Sequence, residues 1–242
     1  SAYLRHGHLS IQEVVEEVLR STGDWQPAQL DLANRGKREG YFHPDANVNS
    51  FLDEAMTWRD VGYHWHFRRI LDGGVRNAQM KSIDGEKVPS YLDLKSTLPA
   101  WALKTLSQHT QDSREFVYSL QEWEQAETHD PLWNAAQTEL IHTGRIHNYL
   151  RMLWGKKVLE WSRSPEEAYL ILEHLNNKYA VDGRDPNSYT GVLWCFGLFD
   201  RPWAPERKVF GRIRFMSSGN TAKKFKLDGY LAYIERLKGV NQ

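Results

Sequence analysis

Helix-start signals are the feature of this sequence that most limits its possible folds. At four places a serine or aspartate precedes an apolar run, in the spacing of a capping box or of a cap followed by proline. These four residues are Ser10, Ser50, Asp130 and Ser164. No stretch alternates polar and apolar residues with period two, as a half-buried strand would. The sequence therefore predicts an all-α fold.

The caps and the apolar spacing together place the helices. They are expected over residues 11–19, 51–67, 99–109, 113–123, 143–161, 189–198 and 227–237, with two more starting at Pro131 and Pro165. Residues 71–90 have the composition of a surface loop. Residues 182–188 place charge, glycine and proline between two apolar helices, as functional loops often do. No repeat or linker divides the chain, so residues 1–242 are treated as one domain.

Several classes of protein are disfavoured by what the sequence lacks. Its one cysteine, Cys195, excludes a disulfide or a cysteine-based metal site within the chain. HExxH, P-loop, GxGxxG and GxSxG motifs are absent, so no metal site, Rossmann nucleotide site or hydrolase elbow is predicted. No apolar run is long enough to span a bilayer, and the N-terminus does not resemble a signal peptide. We expect a protein that is neither membrane-bound nor secreted.

Charge is balanced overall but unevenly placed. The chain has 31 basic and 31 acidic side chains, yet residues 201–226 contain eight basic residues and a single acid, Glu206. Two interpretations stay open. The segment is either a solvated face or a local anion-binding surface on a neutral protein.

Tryptophan is unusually frequent, with ten residues against nine phenylalanines. Trp154 and Trp161 are seven residues apart, so they share one helix face, and Arg151 lies on that face one turn before Trp154. A buried arginine needs a carboxylate, and the nearest irregular acidic segment is 182–185. The pattern fits either an apolar stripe with an arginine reaching solvent or an aromatic chain beside a buried polar cofactor.

Five segments together carry a family resemblance. They are THDPLWNAAQ (128–137), HNYLRMLWGKKVLEW (147–161), LNNKY (175–179), DGRDPN (182–187) and VFGRIRFM (209–216). In this order and spacing they closely resemble the flavin-binding helical domain of class II cyclobutane pyrimidine dimer DNA photolyases. Residues 1–10 also resemble the start of that domain. The family's N-terminal α/β antenna domain has no counterpart here, so no antenna chromophore is expected in this chain.

The resemblance implies an FAD, active in its reduced anionic form, within the helical domain. Asn176 would face flavin N5, and Arg151 with Asp182 would form an ion pair beside the isoalloxazine. Further cofactor contacts would come from Ser1, Tyr3 and Asp185. Electrons for photoreduction would pass along Trp154, Trp133, Trp161 and Tyr118, with Trp154 nearest the flavin.

The resemblance also implies a site for damaged DNA. Glu54 would hydrogen-bond the base edge of the dimer, Trp58 and Trp194 would form the walls of its pocket, and Met152 would lie beneath it. Arg201 and Arg214 would hold phosphates of the lesion strand. Because Glu54 precedes Trp58 by four residues, both would lie on one helix face.

The resemblance thus implies light-driven repair of pyrimidine dimers in double-stranded DNA by a monomer, with the antenna domain as a further partner. It also implies a location in the cytoplasm with the nucleoid or in the nucleus. Two alternatives remain at this point. One is a cryptochrome-like photoreceptor that photoreduces flavin without repairing DNA. The other is a light-independent flavin oxidoreductase on the same scaffold.

Overall fold

A computed structural model describes residues 1–23, 25–37, 39–73 and 77–239 of the protein. These residues are mostly helical, which confirms the predicted fold class. They form two units. The first comprises Ser1–Asp72 with the short segment Asp185–Asn187, and the second comprises Gly73–Arg184 and Ser188–Gln242. No helix in the described ranges is both long and apolar enough to cross a membrane.

The first unit is built from short helices. They are α1 (Ala2–Arg5), α2 (Ile11–Arg20), α3 (Ala46–Leu52), a π-helix (Asp53–Trp58) and α4 (Arg59–Leu71), with 3₁₀ turns at Pro27–Gln29 and Leu32–Asn34. The predicted capping box of Ser10 and Glu13 is present at the start of α2. Helix α2 packs against α3 and the π-helix.

The predicted cap at Ser50 is wrong. The Asp45 carboxylate accepts hydrogen bonds from the backbone N–H groups of Asn47 and Val48, at 2.9 and 3.0 Å, and so starts the helix five residues earlier. Ser50 therefore lies inside α3. The single helix expected over 51–67 is interrupted by the π-helix, a local widening that is frequent at functional sites.

The second unit holds most of the core. Its elements are β1 (Gln79–Ile83), β2 (Glu86–Ser90), α5 (Leu94–Thr97), α6 (Ala100–Gln108), α7 (Leu120–Gln125), α8 (Pro131–Thr143), α9 (Asn148–Trp161), α10 (Pro165–Tyr179), α11 (Pro186–Trp194), α12 (Ser218–Lys224) and α13 (Asp228–Gly239). Pro186 and Asn187, which open α11, are the only helical residues of this series assigned to the first unit. Helix α9 packs against α8 and α10, and α13 packs against α8.

The surface loop predicted over 71–90 is wrong for residues 79–90, and residues 74–76 lie outside the described ranges. Strands β1 and β2 form an antiparallel hairpin, paired from Gln79 with Ser90 to Ile83 with Glu86. Asp84 and Gly85 make the two-residue turn, both with positive φ (50° and 89°), which is the hairpin preference of an Asp-Gly pair. The hairpin packs on α10. The Asp-Gly signal was available in the sequence.

The helix starts predicted at 113 and 143 are also wrong, and the capping box predicted at Ser164 is incomplete. Residues 113–119 are not helical, because Ser119 forms a capping box with Glu122 and starts α7 at Leu120. Gly144, with φ of 67°, ends α8, so α9 begins at Asn148 rather than at 143. Ser164 caps α10 as predicted, but its box is half formed because the Glu167 carboxylate accepts from the Arg163 N–H.

One glycine allows a close helix approach in the core. A Cβ on Gly155 of α9 would stand 2.5 Å from the Cys195 sulfur, so only glycine lets this turn of α9 contact the end of α11. The next residue, Lys156, is fully buried at that contact.

Candidate functional site

Five aromatic side chains in the second unit form a continuous series of ring contacts, which we call the aromatic cluster. Its members are Trp154, Trp133, Trp123, Trp161 and Tyr118. In that order, neighbouring ring centroids are 6.4, 4.8, 6.1 and 6.0 Å apart. All five side chains are buried. The structure therefore brings together the four aromatic residues that the resemblance selected for electron transfer.

The cluster is held by three helices and by hydrogen bonds that two of its indoles donate. Trp133 lies in the first turn of α8, and its Nε1 donates to the backbone carbonyl of Trp154 at 3.1 Å. Trp154 in turn donates from Nε1 to Gln137 Oε1 at 2.9 Å. Each of these two indoles thus has one fixed orientation, and their rings lie 7° from parallel.

Trp123 was not identified from the sequence as a functional candidate. It is fully buried, and its ring contacts those of Trp133, Trp161 and Tyr118. Trp123 belongs to α7, so no helical spacing relates it to the tryptophans of α8 and α9. Only the tertiary packing shows that it lies between Trp133 and Trp161.

Tyr118 lies at the outer end of the cluster beside His129. The phenol oxygen and His129 Nδ1 form a hydrogen bond, and the His129 backbone N–H donates to the same phenol oxygen at 3.0 Å. Phe116 stacks on the imidazole, with centroids 3.7 Å apart, and Trp161 meets the imidazole edge at 4.6 Å. Burial raises the pKa of Tyr118, so it is a neutral phenol at physiological pH.

The predicted ion pair of Arg151 and Asp182 is present. Arg151 Nη1 is 3.4 Å from Asp182 Oδ1, and the two side chains are 22% and 23% exposed. Burial, the largest single influence, raises the pKa of Asp182, but the positive charges and hydrogen bonds that act on its carboxylate, those of Arg151 among them, together outweigh burial, so the pKa lies below its ordinary value. The pair is therefore charged and only partly screened by water.

Asn176 lies in the last turn of α10 and is almost fully buried. Its amide nitrogen donates to Ser188 Oγ at 2.8 Å and to Asn177 Oδ1 at 3.3 Å. A Cβ on Gly183 would stand 2.8 Å from the Asn176 carbonyl oxygen. The glycine after Asp182 thus lets the 182–183 turn pack closely against Asn176.

The remaining cofactor candidates belong to the first unit. The Asp185 carboxylate accepts from the Tyr63 hydroxyl at 3.0 Å and lies 3.9 Å from Arg5 Nε. Tyr3 is 58% exposed in the short helix α1, and Ser1 stands at the start of that helix. Asp185 thus has polar partners within this unit. Among the ring pairs of the described residues, the Tyr3 ring contacts only that of His8.

Basic and aromatic side chains meet at the end of α11, in a group we call the cation–aromatic surface. Arg214 lies over the rings of Trp194 and Trp203, at 5.5 and 4.8 Å, and Arg201 lies over Trp203 at 4.7 Å. Both arginines are exposed. Three residues proposed for DNA contact, Trp194, Arg201 and Arg214, are therefore neighbours, and Trp203 joins them without having been predicted.

A buried lysine contacts the cation–aromatic surface from the protein interior. Lys156 Nζ donates to the Cys195 carbonyl at 2.7 Å and lies 4.7 Å from the centroid of the Trp194 ring. Burial lowers the pKa of Lys156 to about 8. Met152, half-buried, precedes Lys156 by four residues on α9 and so shares its helix face.

The lesion-pocket candidates Glu54 and Trp58 both belong to the π-helix of the first unit. Glu54 is exposed and Trp58 is 42% exposed. Phe51, Tyr63 and Phe67 in the flanking helices are also exposed, at 48%, 39% and 57%. Large aromatics left open in this way are typical of binding surfaces. We call the segment 51–67 the exposed aromatic segment.

Comparison with known proteins places these features in context. No protein-family model matches the chain. It is 37% identical over 240 residues to a deoxyribodipyrimidine photo-lyase of Oryza sativa, a match covering 99% of this chain and 40% of the relative. Two further proteins of that name, from Arabidopsis thaliana and Methanothermobacter thermautotrophicus, are 46% identical over 196 residues and 52% over 145. These two matches cover 81% and 60% of this chain, and 35% and 32% of the relatives. The matched part of the chain thus spans between 32% and 40% of their length.

Proposed function

The chain is homologous to the photolyases, and on that premise we propose that it is the FAD-binding, DNA-repairing helical domain of a class II cyclobutane pyrimidine dimer photolyase. The observation that carries the proposal is the aromatic cluster. A photoreducible flavoprotein needs a series of oxidisable side chains in contact, held in one geometry, from the cofactor outwards. The five rings from Trp154 to Tyr118 meet that requirement.

A set of polar side chains in the second unit fits a flavin. The polar edge of an isoalloxazine alternates hydrogen-bond donors and acceptors. Within the second unit, Asn176 offers an amide, Arg151 a guanidinium and Asp182 a carboxylate, so donors and acceptors are both available. The Arg151 contacts to Asp182 are long, at 3.4 and 3.5 Å, which leaves its N–H groups free to make shorter bonds. We propose that these three residues hold the ring system.

When bound, reduced FAD would supply, on absorbing light, the electron that splits the dimer. The residues around it have separate tasks. Arg151 stabilises negative charge near its guanidinium, and Asp182 keeps that guanidinium in place. Trp154, buried and bonded through its Nε1 to Gln137, presents an oxidisable indole that water cannot reach. The rest of the cluster carries the oxidising equivalent away from Trp154 towards the surface.

We propose that the cation–aromatic surface binds the DNA backbone. Arg201 and Arg214 are exposed and preoriented by stacking on Trp203, so little side-chain entropy is lost on contact with phosphate. Such contacts position the duplex without reading its sequence, which suits an enzyme that must act on lesions anywhere. They also make binding sensitive to salt.

In the first unit, Glu54 and Trp58 are proposed to act on the dimer itself. A flipped base pair loses its stacking, and an aromatic face such as Trp58 restores part of that energy, about 1 to 3 kcal/mol per base. The Glu54 side chain is exposed to solvent, and a carboxylate is an acceptor of the kind that a base edge can donate to. Both residues are open to solvent, as a ligand of this size requires.

Illumination of the purified protein tests the proposal. The protein loaded with FAD should show the blue absorption band of oxidised flavin, photoreduce in the presence of a reductant, and restore an oligonucleotide containing one thymine dimer. Photoreduction without repair would indicate the photoreceptor alternative. Turnover of a small substrate in the dark would indicate the oxidoreductase alternative, and failure to bind flavin would refute all three.

Two variants with matched controls sharpen the test. Trp154→Phe should abolish photoreduction but leave repair by chemically reduced protein intact, whereas Trp101→Phe, outside the cluster, should change neither. Arg214→Gln should weaken DNA binding and lower the slope of log affinity against log salt by about one. Arg236→Gln, an exposed arginine of α13, is its control.

A further inference from the structure

The pair formed by Tyr118 and His129 is chemically more specific than a packing contact. Tyr118 is buried, while His129 is exposed to solvent. The tyrosine ring touches Trp123 and Trp161, with centroids 5.2 and 6.0 Å away. The pair therefore joins the buried aromatic cluster to water through a single side chain.

The hydrogen bonds determine where the phenol proton lies. The Tyr118 oxygen accepts from the His129 backbone N–H at 3.0 Å. The Tyr118 hydroxyl also has a proton to donate, and among the described residues the one acceptor that this proton can reach is His129 Nδ1. Nδ1 must then be unprotonated, which makes the neutral imidazole the Nε2–H tautomer. Stacking on Phe116 and the edge contact with Trp161 keep the ring in that orientation.

Oxidation of this tyrosine requires a proton acceptor. A phenol that loses an electron becomes a strong acid, and a buried cation without a partner is costly. The electron can leave through Trp161 or Trp123, whose rings contact Tyr118, while the proton can leave only along the hydrogen bond. The carboxylates of Glu122 and Asp130 also act on Tyr118, and their negative charges raise its pKa.

We propose that His129 is the proton acceptor for oxidation of Tyr118 by a tryptophan radical cation of the aromatic cluster. One electron passes from the phenol to the indole radical cation, which returns to neutral tryptophan. The phenol O–H bond breaks, and its proton bonds to His129 Nδ1. The products are a neutral tyrosyl radical and an imidazolium that can release its Nε2 proton to water.

This step rests on the electron path of the proposed function. It makes Tyr118 the last electron donor on that path. After the proton has left, return of the electron to the cluster requires return of a proton as well. The charge separation should therefore outlast that of a bare tryptophan radical.

The resting pair is tested in the dark, without flavin. The ¹⁵N NMR signals of the His129 ring should show the Nε2–H tautomer with a hydrogen-bonded Nδ1, and Tyr118→Phe should remove that hydrogen bond. A ring protonated on Nδ1, or signals unaffected by Tyr118→Phe, would refute the proposal.

The transfer step is tested by flash oxidation with an external photo-oxidant, and in parallel by illumination of the FAD-loaded protein. A tryptophan radical cation should be followed by a neutral tyrosyl radical, and the second step should slow in D₂O. His129→Gln keeps a hydrogen-bond acceptor but no base, so it should form the tyrosyl radical about a hundredfold more slowly. Added imidazole should restore the rate in His129→Ala, since the site is exposed.

Controls distinguish failure of the proposed role of His129 from failure of the proposed flavin function. Tyr230→Phe removes a half-buried tyrosine that is bonded to Glu139, outside the aromatic cluster, and should leave both radicals unchanged. Equal tyrosyl rates in His129→Gln and wild type, or no rescue by imidazole, would overturn the role of His129 alone. If the external oxidant gives a His129-dependent tyrosyl radical but illuminated flavin gives none, the proposed function fails and the inference about His129 stands.

Discussion

The aromatic cluster and the exposed aromatic segment use the same kinds of side chain in opposite ways. In the cluster, Trp133 and Trp154 are 0% and 2% exposed and have hydrogen-bonded indoles. In the exposed segment, Trp58 and Phe67 are 42% and 57% exposed. Each group lies in its own unit of the chain.

The difference shows how one residue type serves two tasks. Electron transfer needs fixed distances between rings, and close packing in a core provides them. Binding a base needs an open aromatic face that gains contact only when the ligand arrives. Composition reveals an excess of tryptophan, but burial separates the two uses.

Trp133→Ala should give the largest effect on stability. Truncating a fully buried tryptophan leaves a large cavity, and we expect a loss of about 3 to 5 kcal/mol in the free energy of unfolding, measured by urea denaturation. A loss below about 1 kcal/mol would mean that the cluster is not rigidly packed, and the contrast between the two groups would fail.

Lys156→Met tests whether the second unit buries a charged side chain as well as aromatic rings. The pKa of Lys156 is lowered from 10.5 to about 8 by burial. Between these values the unfolded chain binds more protons than the folded one, so stability should rise with pH, by up to about 3 kcal/mol. The variant should lack this rise when unfolding is measured from pH 8 to 10.5. An identical rise in both proteins would contradict the assignment.

Asp182→Asn extends the comparison to ion pairs. Loss of the carboxylate leaves Arg151 partly buried without its charge partner, at a cost of about 1 to 3 kcal/mol. Because the folded pKa of Asp182 is lowered, its contribution is present above the unfolded value of 3.8 and lost as pH falls through the folded value. The variant should not show that acid-dependent loss.

The control for Asp182→Asn is Asp60→Asn in the first unit. Asp60 is 73% exposed in its pair with Arg59, so this change should cost less than about 1 kcal/mol. Equal costs in urea denaturation would show that the two pairs do not differ as their burial indicates.

Trp58→Ala should have the smallest effect on stability, about 0.5 kcal/mol, because the side chain is already 42% exposed. Its effect should appear in binding, as a weaker preference for dimer-containing over undamaged DNA in a competition assay. Phe67→Ala, a second exposed aromatic of the segment, should leave that preference unchanged. If Trp58→Ala were as destabilising as Trp133→Ala, Trp58 would be a core residue.

Local signals predicted much of the helical fold. The caps at Ser10, Asp130 and Ser164 were identified correctly because a cap involves residues at most three positions apart. The same kind of local signal gave a wrong helix start at Ser50, because Asp45 caps the helix instead. The hairpin at Asp84 was not predicted because most residues of its strands are exposed, so no alternation of polar and apolar residues marks them. Its strands pack on α10, which is distant in the sequence.

The sequence by itself determined the helical class and the starts of α2, α8 and α10, and its family resemblance selected the candidate residues, including the pairing of Arg151 with Asp182. These follow from local hydrogen bonding, helical spacing and motifs carried in the chain. The tertiary structure alone decided that Trp123 joins Trp133 to Trp161, that Trp203 joins the arginines, and that His129 meets Tyr118 at the edge of the cluster. Those contacts connect different helices and loops, and no residue spacing along a chain encodes which faces of separate elements will pack together.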